Sequence, residues 1–128
     1  MISAKRALLF FCMVSLFGCA TQYRAYDGPQ LSPDKVAIIK GAENFLPGTT
    51  TLGVVSIDGK SLSPYKTNVE ILPGRHIIGV HYYFHAAGGL TARGDVVLDA
   101  LPGKTYELQS KSEGKVVTFS IVEAPDKK

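Results

Sequence analysis

From Lys35 onward, apolar and polar residues alternate with a period of two. Residues 67–72 place Val69 and Ile71 on one side, with Asn68 and Glu70 on the other. Residues 75–85 alternate Ile78, Val80, Tyr82 and Phe84 against a second set of side chains. Residues 94–101 set Val96, Leu98 and Ala100 inward and Asp95, Val97 and Asp99 outward. Residues 105–110 offer Tyr106 and Leu108, and residues 115–123 offer Val117, Phe119 and Ile121. Such alternation marks strands with one face on a core and the other in water. Two further strands are expected, at residues 36–40 and 49–58. The inner face of the second is ambiguous, because Val54 and Val55 are adjacent.

Turn chemistry falls between these runs. Pro73-Gly74 and Pro102-Gly103 each suit a type II turn, with proline fixing φ at the first central position and glycine taking positive φ at the second. Asp58-Gly59 and Glu113-Gly114 mark further turns, and Ala86-Ala87-Gly88-Gly89 reads as a flexible link. Gly53, Gly79 and Gly94 lie inside strand patterns, where glycine marks a bulge or a close backbone approach. No stretch after Asp34 has helical periodicity. About seven short strands with frequent turns predict an all-β domain over residues 35–124: an antiparallel two-sheet β-sandwich, followed by a polar tail at residues 125–128.

The N-terminus has a different pattern. Lys5 and Arg6 precede a nearly uninterrupted apolar run over residues 7–17, broken only by Ser15. A basic start, a short apolar segment and a small residue before a cut site describe an export signal. The run is shorter than the roughly 20 apolar residues a bilayer-spanning helix needs. Leu16-Phe17-Gly18-Cys19 resembles the lipobox of bacterial lipoproteins. That resemblance implies a signal peptide over residues 1–18, with Leu16 and Gly18 directing its processing. It implies that Cys19 becomes the new N-terminus and carries diacylglycerol with an amide-linked acyl chain such as palmitate. One acyl chain binds a membrane only reversibly, whereas several hold it stably. Ala20 stands where inner-membrane lipoproteins of this class carry Asp. The expected location is therefore the outer membrane, with the domain in the periplasm.

Processing changes the charge. The signal holds two of the 14 basic residues and none of the 11 acidic ones, so the mature chain falls from +3 to a net charge of +1. That balance speaks against nucleic acid as a partner, which requires a basic patch. Cys12 leaves with the signal and Cys19 takes lipid, so no thiol remains for a disulfide. Core burial must hold the domain, and roughly 110 residues suffice for that. Residues 19–34 read as the lipidated terminus and a flexible tether, polar and interrupted by Pro29 and Pro33. About 15 residues span at most about 50 Å extended and near 20 Å as a coil. Tyr23, Tyr26 and Leu31 are its apolar exceptions, free either to pack on the domain or to lie in the lipid interface.

A second resemblance rests on three segments. They are Ser56-Ile57-Asp58-Gly59, Val69 to Val80 through Leu72-Pro73-Gly74-Arg75-His76, and Ala100-Leu101-Pro102-Gly103-Lys104-Thr105-Tyr106-Glu107-Leu108. Together they resemble the PEGA-type module of bacterial envelope proteins, and a group of small Gram-negative lipoproteins that carry such a module after a short tether. The resemblance covers roughly residues 51–108 and implies a fold and an envelope location, without catalytic residues.

Spacing along the strands limits what the titratable side chains can do together. On a strand, His81 and His85 share a face but stand about 13 Å apart, too far for two ligands of one zinc at about 2.1 Å each. No metal site and no cofactor is therefore expected. Asp95 and Asp99 are separated in the same way, beyond the roughly 5–9.5 Å of glycosidase carboxylate pairs. No Gly-x-Ser-x-Gly elbow is present, and Gly88-Gly89 feeds no helix that would cradle phosphate.

One surface stands out. Ile77, His81, Tyr83 and His85 alternate opposite the core-facing set of the same strand, and offer aromatic and imidazole groups to a partner or a sugar ring. The sequence thus points to a lipid-anchored, non-enzymatic binding or accessory module. Its partners are the membrane through Cys19 and an envelope protein or peptidoglycan. Two alternatives remain at this level: an inhibitor of cell-wall hydrolases using a protruding loop at residues 86–91, or an enzyme with a site assembled from loops.

Overall fold

The computed structural model describes residues 22–125; the signal segment, Leu16, Gly18, Cys19 and the last three residues lie outside them. The described chain is nearly all β. Its strands are β1 (Tyr23–Arg24), β2 (Ala37–Lys40), β3 (Thr50–Ile57), β4 (Lys60–Lys66) and β5 (Asn68–Ile71). They continue with β6 (Gly74–Phe84), β7 (Leu90–Ala100), β8 (Thr105–Glu113) and β9 (Val116–Glu123). An isolated bridge joins Ala42 to Leu52, and a single 3-10 turn at Pro33–Lys35 precedes β2.

Two sheets form, in the orders β1-β5-β2-β8-β9 and β4-β3-β6-β7. Their inner faces share one core. Ile39, Val69, Ile71 and Leu108 of the first sheet meet Val54, Ile78, Val80 and Leu98 of the second. Ile39, Val54, Ile78 and Val80 are fully buried, and each such side chain contributes about 1.5–3 kcal/mol relative to exposure. The alternation that selected Val69, Ile71, Ile78, Val80, Leu98, Tyr106 and Leu108 as inward-facing thus matches the buried set.

Three details differ from the sequence expectation. There are more strands than seven: β4 and β1 are added. The β4 segment, KSLSPYK, has Pro64 and one buried apolar residue, Leu62. It is an edge strand, where a missing N–H is tolerated. The first sheet is mixed rather than antiparallel, because β1 runs parallel to β5 and β2 parallel to β8. Parallel pairing requires a long crossover, and the whole second sheet lies between β2 and β8 in sequence. Third, β7 begins at Leu90, which pairs with Phe84, so only residues 85–89 connect β6 to β7.

The turns follow their residue types. Asp58 and Gly59 both have positive φ, at 51° and 82°, closing the β3–β4 hairpin as a type I′ turn does. Gly103 has φ +77° and the Lys104 amide donates to the Leu101 carbonyl at 3.4 Å, closing that turn. Register shifts between Val54 and Ser56 leave Val55 as the extra residue of a bulge, which resolves the ambiguous pair of valines.

Candidate functional site

The outer face of the second sheet carries the side chains singled out by alternation. Ile77, His81 and Tyr83 project from β6, and His85 follows its end. They do not form one continuous surface. Ile77 lies half-exposed beside its cross-strand neighbour Val97. His81 belongs to a groove, while Tyr83 and His85 belong to a separate aromatic cluster.

The groove is built on missing side chains. Gly53 of β3 pairs with His81. A Cβ at Gly53 would lie 2.3 Å from Cδ2 of Tyr65. The absence of that carbon lets the Tyr65 ring cross from β4 and stack on His81, with centroids 5.5 Å apart and planes 23° apart. On the next strand, Arg93 pairs with His81 from the other side. Gly79 leaves room for Ser56 in the same way. The result is a groove of about 400 Å³ lined by Ser56, Ser61, Pro64, Tyr65, His81 and Arg93, among others.

Its electrostatics are specific. Burial, and then the nearby Arg93 charge, push His81 below the ordinary histidine value of 6.5. Both causes disfavour a second positive charge, so the ring is neutral at pH 7. Its Nδ1 is buried and makes no hydrogen bond. No carboxylate among the described residues pairs with Arg93. A neutral ring with an unused nitrogen therefore stands beside an unpaired guanidinium and serine hydroxyls. Arg is suited to planar, two-pronged contacts with carboxylates and phosphates. Tyr65 also walls a second groove of about 460 Å³, which holds Glu43, Lys66, Thr67 and Asn68. The Asn68 side-chain oxygen is likewise buried without a partner.

The aromatic cluster is held by hydrogen bonds and ring contacts. The Thr51 hydroxyl donates its one proton to the Asn44 carbonyl at 2.8 Å, so at 2.8 Å from His85 Nε2 it accepts from the ring. His85 thus donates through Nε2 and is held in place. Tyr83 and Phe45 each meet His85 edge to face, with centroids at 4.6 and 5.9 Å. These rings are structural braces for residues 43–49 as much as a surface.

Tyr65 and Phe45 were not selected from sequence. The usable signal was Gly53: a glycine within a strand indicates close approach, but not which residue approaches. His76, a third histidine, sits elsewhere, bridging Asp58 Oδ2 at 2.6 Å and the Leu72 carbonyl at 2.7 Å.

Comparison with known proteins provides no further identification: no family model, curated protein or solved structure matches this chain.

Proposed function

We propose that this protein is a non-enzymatic binding module, anchored by lipid on Cys19 to the periplasmic side of the outer membrane, with a PEGA-like β-sandwich as its body. Its ligand is an acidic cell-wall glycopeptide held in the groove lined by Tyr65, His81 and Arg93. The observation that carries the ligand assignment is the unpaired Arg93 guanidinium beside the Tyr65–His81 stack. An aromatic face accepts the apolar side of a sugar ring, and the guanidinium donates paired hydrogen bonds to a carboxylate. Ser56 and Ser61 supply the polar contacts that orient a ligand in a site.

Two measurements test this reading. The full chain is titrated calorimetrically with soluble peptidoglycan fragments, alongside Arg93→Gln and Gly53→Ala. Saturable binding that is lost in both variants supports the groove. Equal binding by all three chains sinks it, and turnover of the fragments replaces it with an enzyme. For the anchor, Cys19→Ala moves the protein out of the membrane fraction; unchanged acyl labelling defeats the lipoprotein assignment.

A further inference from the structure

The segment that precedes the domain is not free to act as a spacer. Tyr23 and Arg24 pair with Val69 and Glu70 of β5. The Ala25 amide donates to the Glu70 carbonyl at 2.9 Å, and the Tyr26 hydroxyl donates to Glu70 Oε1 at 2.8 Å. Lys66 Nζ lies 5.3 Å from the centre of the Tyr23 ring. The chain is thus fixed to the sheet from Tyr23 on.

The direction of that pairing decides where the chain enters. Strand β1 runs parallel to β5, which starts at Asn68 opposite Lys40 and ends at Ile71 opposite Ala37. Residues before Tyr23 therefore approach from the end marked by Lys40 and Asn68. The Gly41 amide bonds the Thr67 carbonyl at this end, and Ala42 then joins Leu52 as the chain passes towards the start of β3. The β6–β7 connection and the β8–β9 turn lie at the same end, as their registers require.

We infer that this end of the sandwich rests directly on the bilayer, with Phe45 and Leu46 in the lipid interface. The inference depends on lipidation of Cys19, as proposed above. Cys19 precedes Tyr23 by four residues, a reach of at most about 14 Å. The 11 residues of β6 are about 36 Å long at strand spacing. A leash under half the length of the domain brings the entry end to the membrane and holds the opposite end away.

The surface at that end has matching chemistry. Phe45 and Leu46 are 69% and 72% exposed, and Val116 is 65% exposed. No Asp, Glu, Lys or Arg occurs from Asn44 to Ile57 or from Tyr82 to Ala92. The rim carries Lys66 and Lys115, positioned for phosphate headgroups, together with Glu43 and the exposed Lys111–Glu113 ion pair at 3.1 Å. The opposite end also exposes Leu72 and Leu101, but among Asp58, Lys60, Arg75, Asp99 and Lys104, charges that oppose insertion. Aromatic and aliphatic tips beside basic residues are the composition of an interfacial contact.

The chain has no tryptophan, so one can be introduced as a clean reporter. Phe45→Trp and Leu101→Trp are made in the full acylated protein. Each is reconstituted in phosphatidylethanolamine–phosphatidylglycerol vesicles with brominated acyl chains, and acylation of Cys19 is verified by mass. Blue-shifted, bromine-quenched emission at position 45, with unshifted and unquenched emission at 101, is the expected result. Unquenched emission at 45, or quenching at 101 instead, in a correctly acylated protein overturns the orientation and leaves the anchor standing. Absence of acyl mass on Cys19 overturns the anchor and, with it, the orientation.

Discussion

The hydroxyl of Tyr26 donates to Oε1 of Glu70 at 2.8 Å and accepts the Leu31 amide at 3.1 Å. One side-chain oxygen thereby closes residues 26–31 into a loop and binds that loop to a carboxylate on the outward side of β5. Glu70 is 4% exposed, so its oxygen cannot exchange this partner freely for water. Tyr26→Phe removes the donor and leaves the acceptor, at a cost of about 1–3 kcal/mol. The expected result is a lower urea midpoint with unchanged m-value, and faster amide exchange at Ala25 and Leu31. Unchanged exchange there shows that β1 is held by its backbone pairing alone.

That contact joins residues 44 positions apart in sequence, which explains why the polar composition of residues 19–34 reads as a free tether. What was legible is local. The period of two identifies Ile78, Val80, Leu98 and Leu108 as core, and the Pro-Gly and Asp-Gly pairs locate the bends. What was not legible depends on partners distant in sequence. Tyr65 is one polar-strand aromatic among several until Gly53 is seen beneath it. Strand β4 is hidden by Pro64, because edge position, which makes proline acceptable, is a property of the assembled sheet. Likewise the parallel β2–β8 pair has no local signature.

Asp58 is the site of an acid-sensitive contact. Its carboxylate accepts the Ile77 amide at 2.8 Å and lies 2.6 Å from His76 Nδ1. These two hydrogen bonds, the backbone one foremost, hold it below the ordinary value of 3.8. A carboxyl lowered on folding contributes stability that is complete above pH 3.8 and is lost as pH falls through the folded-state value. Asp58→Asn keeps a residue that tolerates positive φ but cannot titrate. The melting-temperature gap between the two proteins should therefore be largest near neutral pH and should narrow below 3.8. A gap that is constant with pH would falsify the electrostatic account.

The core makes a simpler prediction. Ile78 is fully buried at the centre of the second sheet. Ile78→Ala removes three carbons from a packed site, with an expected loss of about 2–5 kcal/mol. A loss below about 1 kcal/mol in chemical denaturation, the range of conservative swaps, shows that the two sheets do not close tightly over it.

His81 gives the groove a titratable reporter. Its value is lowered from 6.5 by burial first and by Arg93 second, so the folded protein binds its proton later than the unfolded chain as pH falls. Stability should accordingly rise as pH is raised through the window ending near 6.5, because there the unfolded state holds more protons. Arg93→Gln removes the smaller cause and Gly53→Ala, by displacing Tyr65, relieves part of the larger one. Both variants should move the His81 ring titration upward, as followed by proton NMR. An anionic ligand seated at Arg93 would do the same in the unmodified protein, since it offsets the guanidinium charge and favours the imidazolium. A His81 titration that stays fixed in both variants and at saturating ligand would separate this ring from the groove chemistry altogether, and Arg93 alone would then have to account for any affinity.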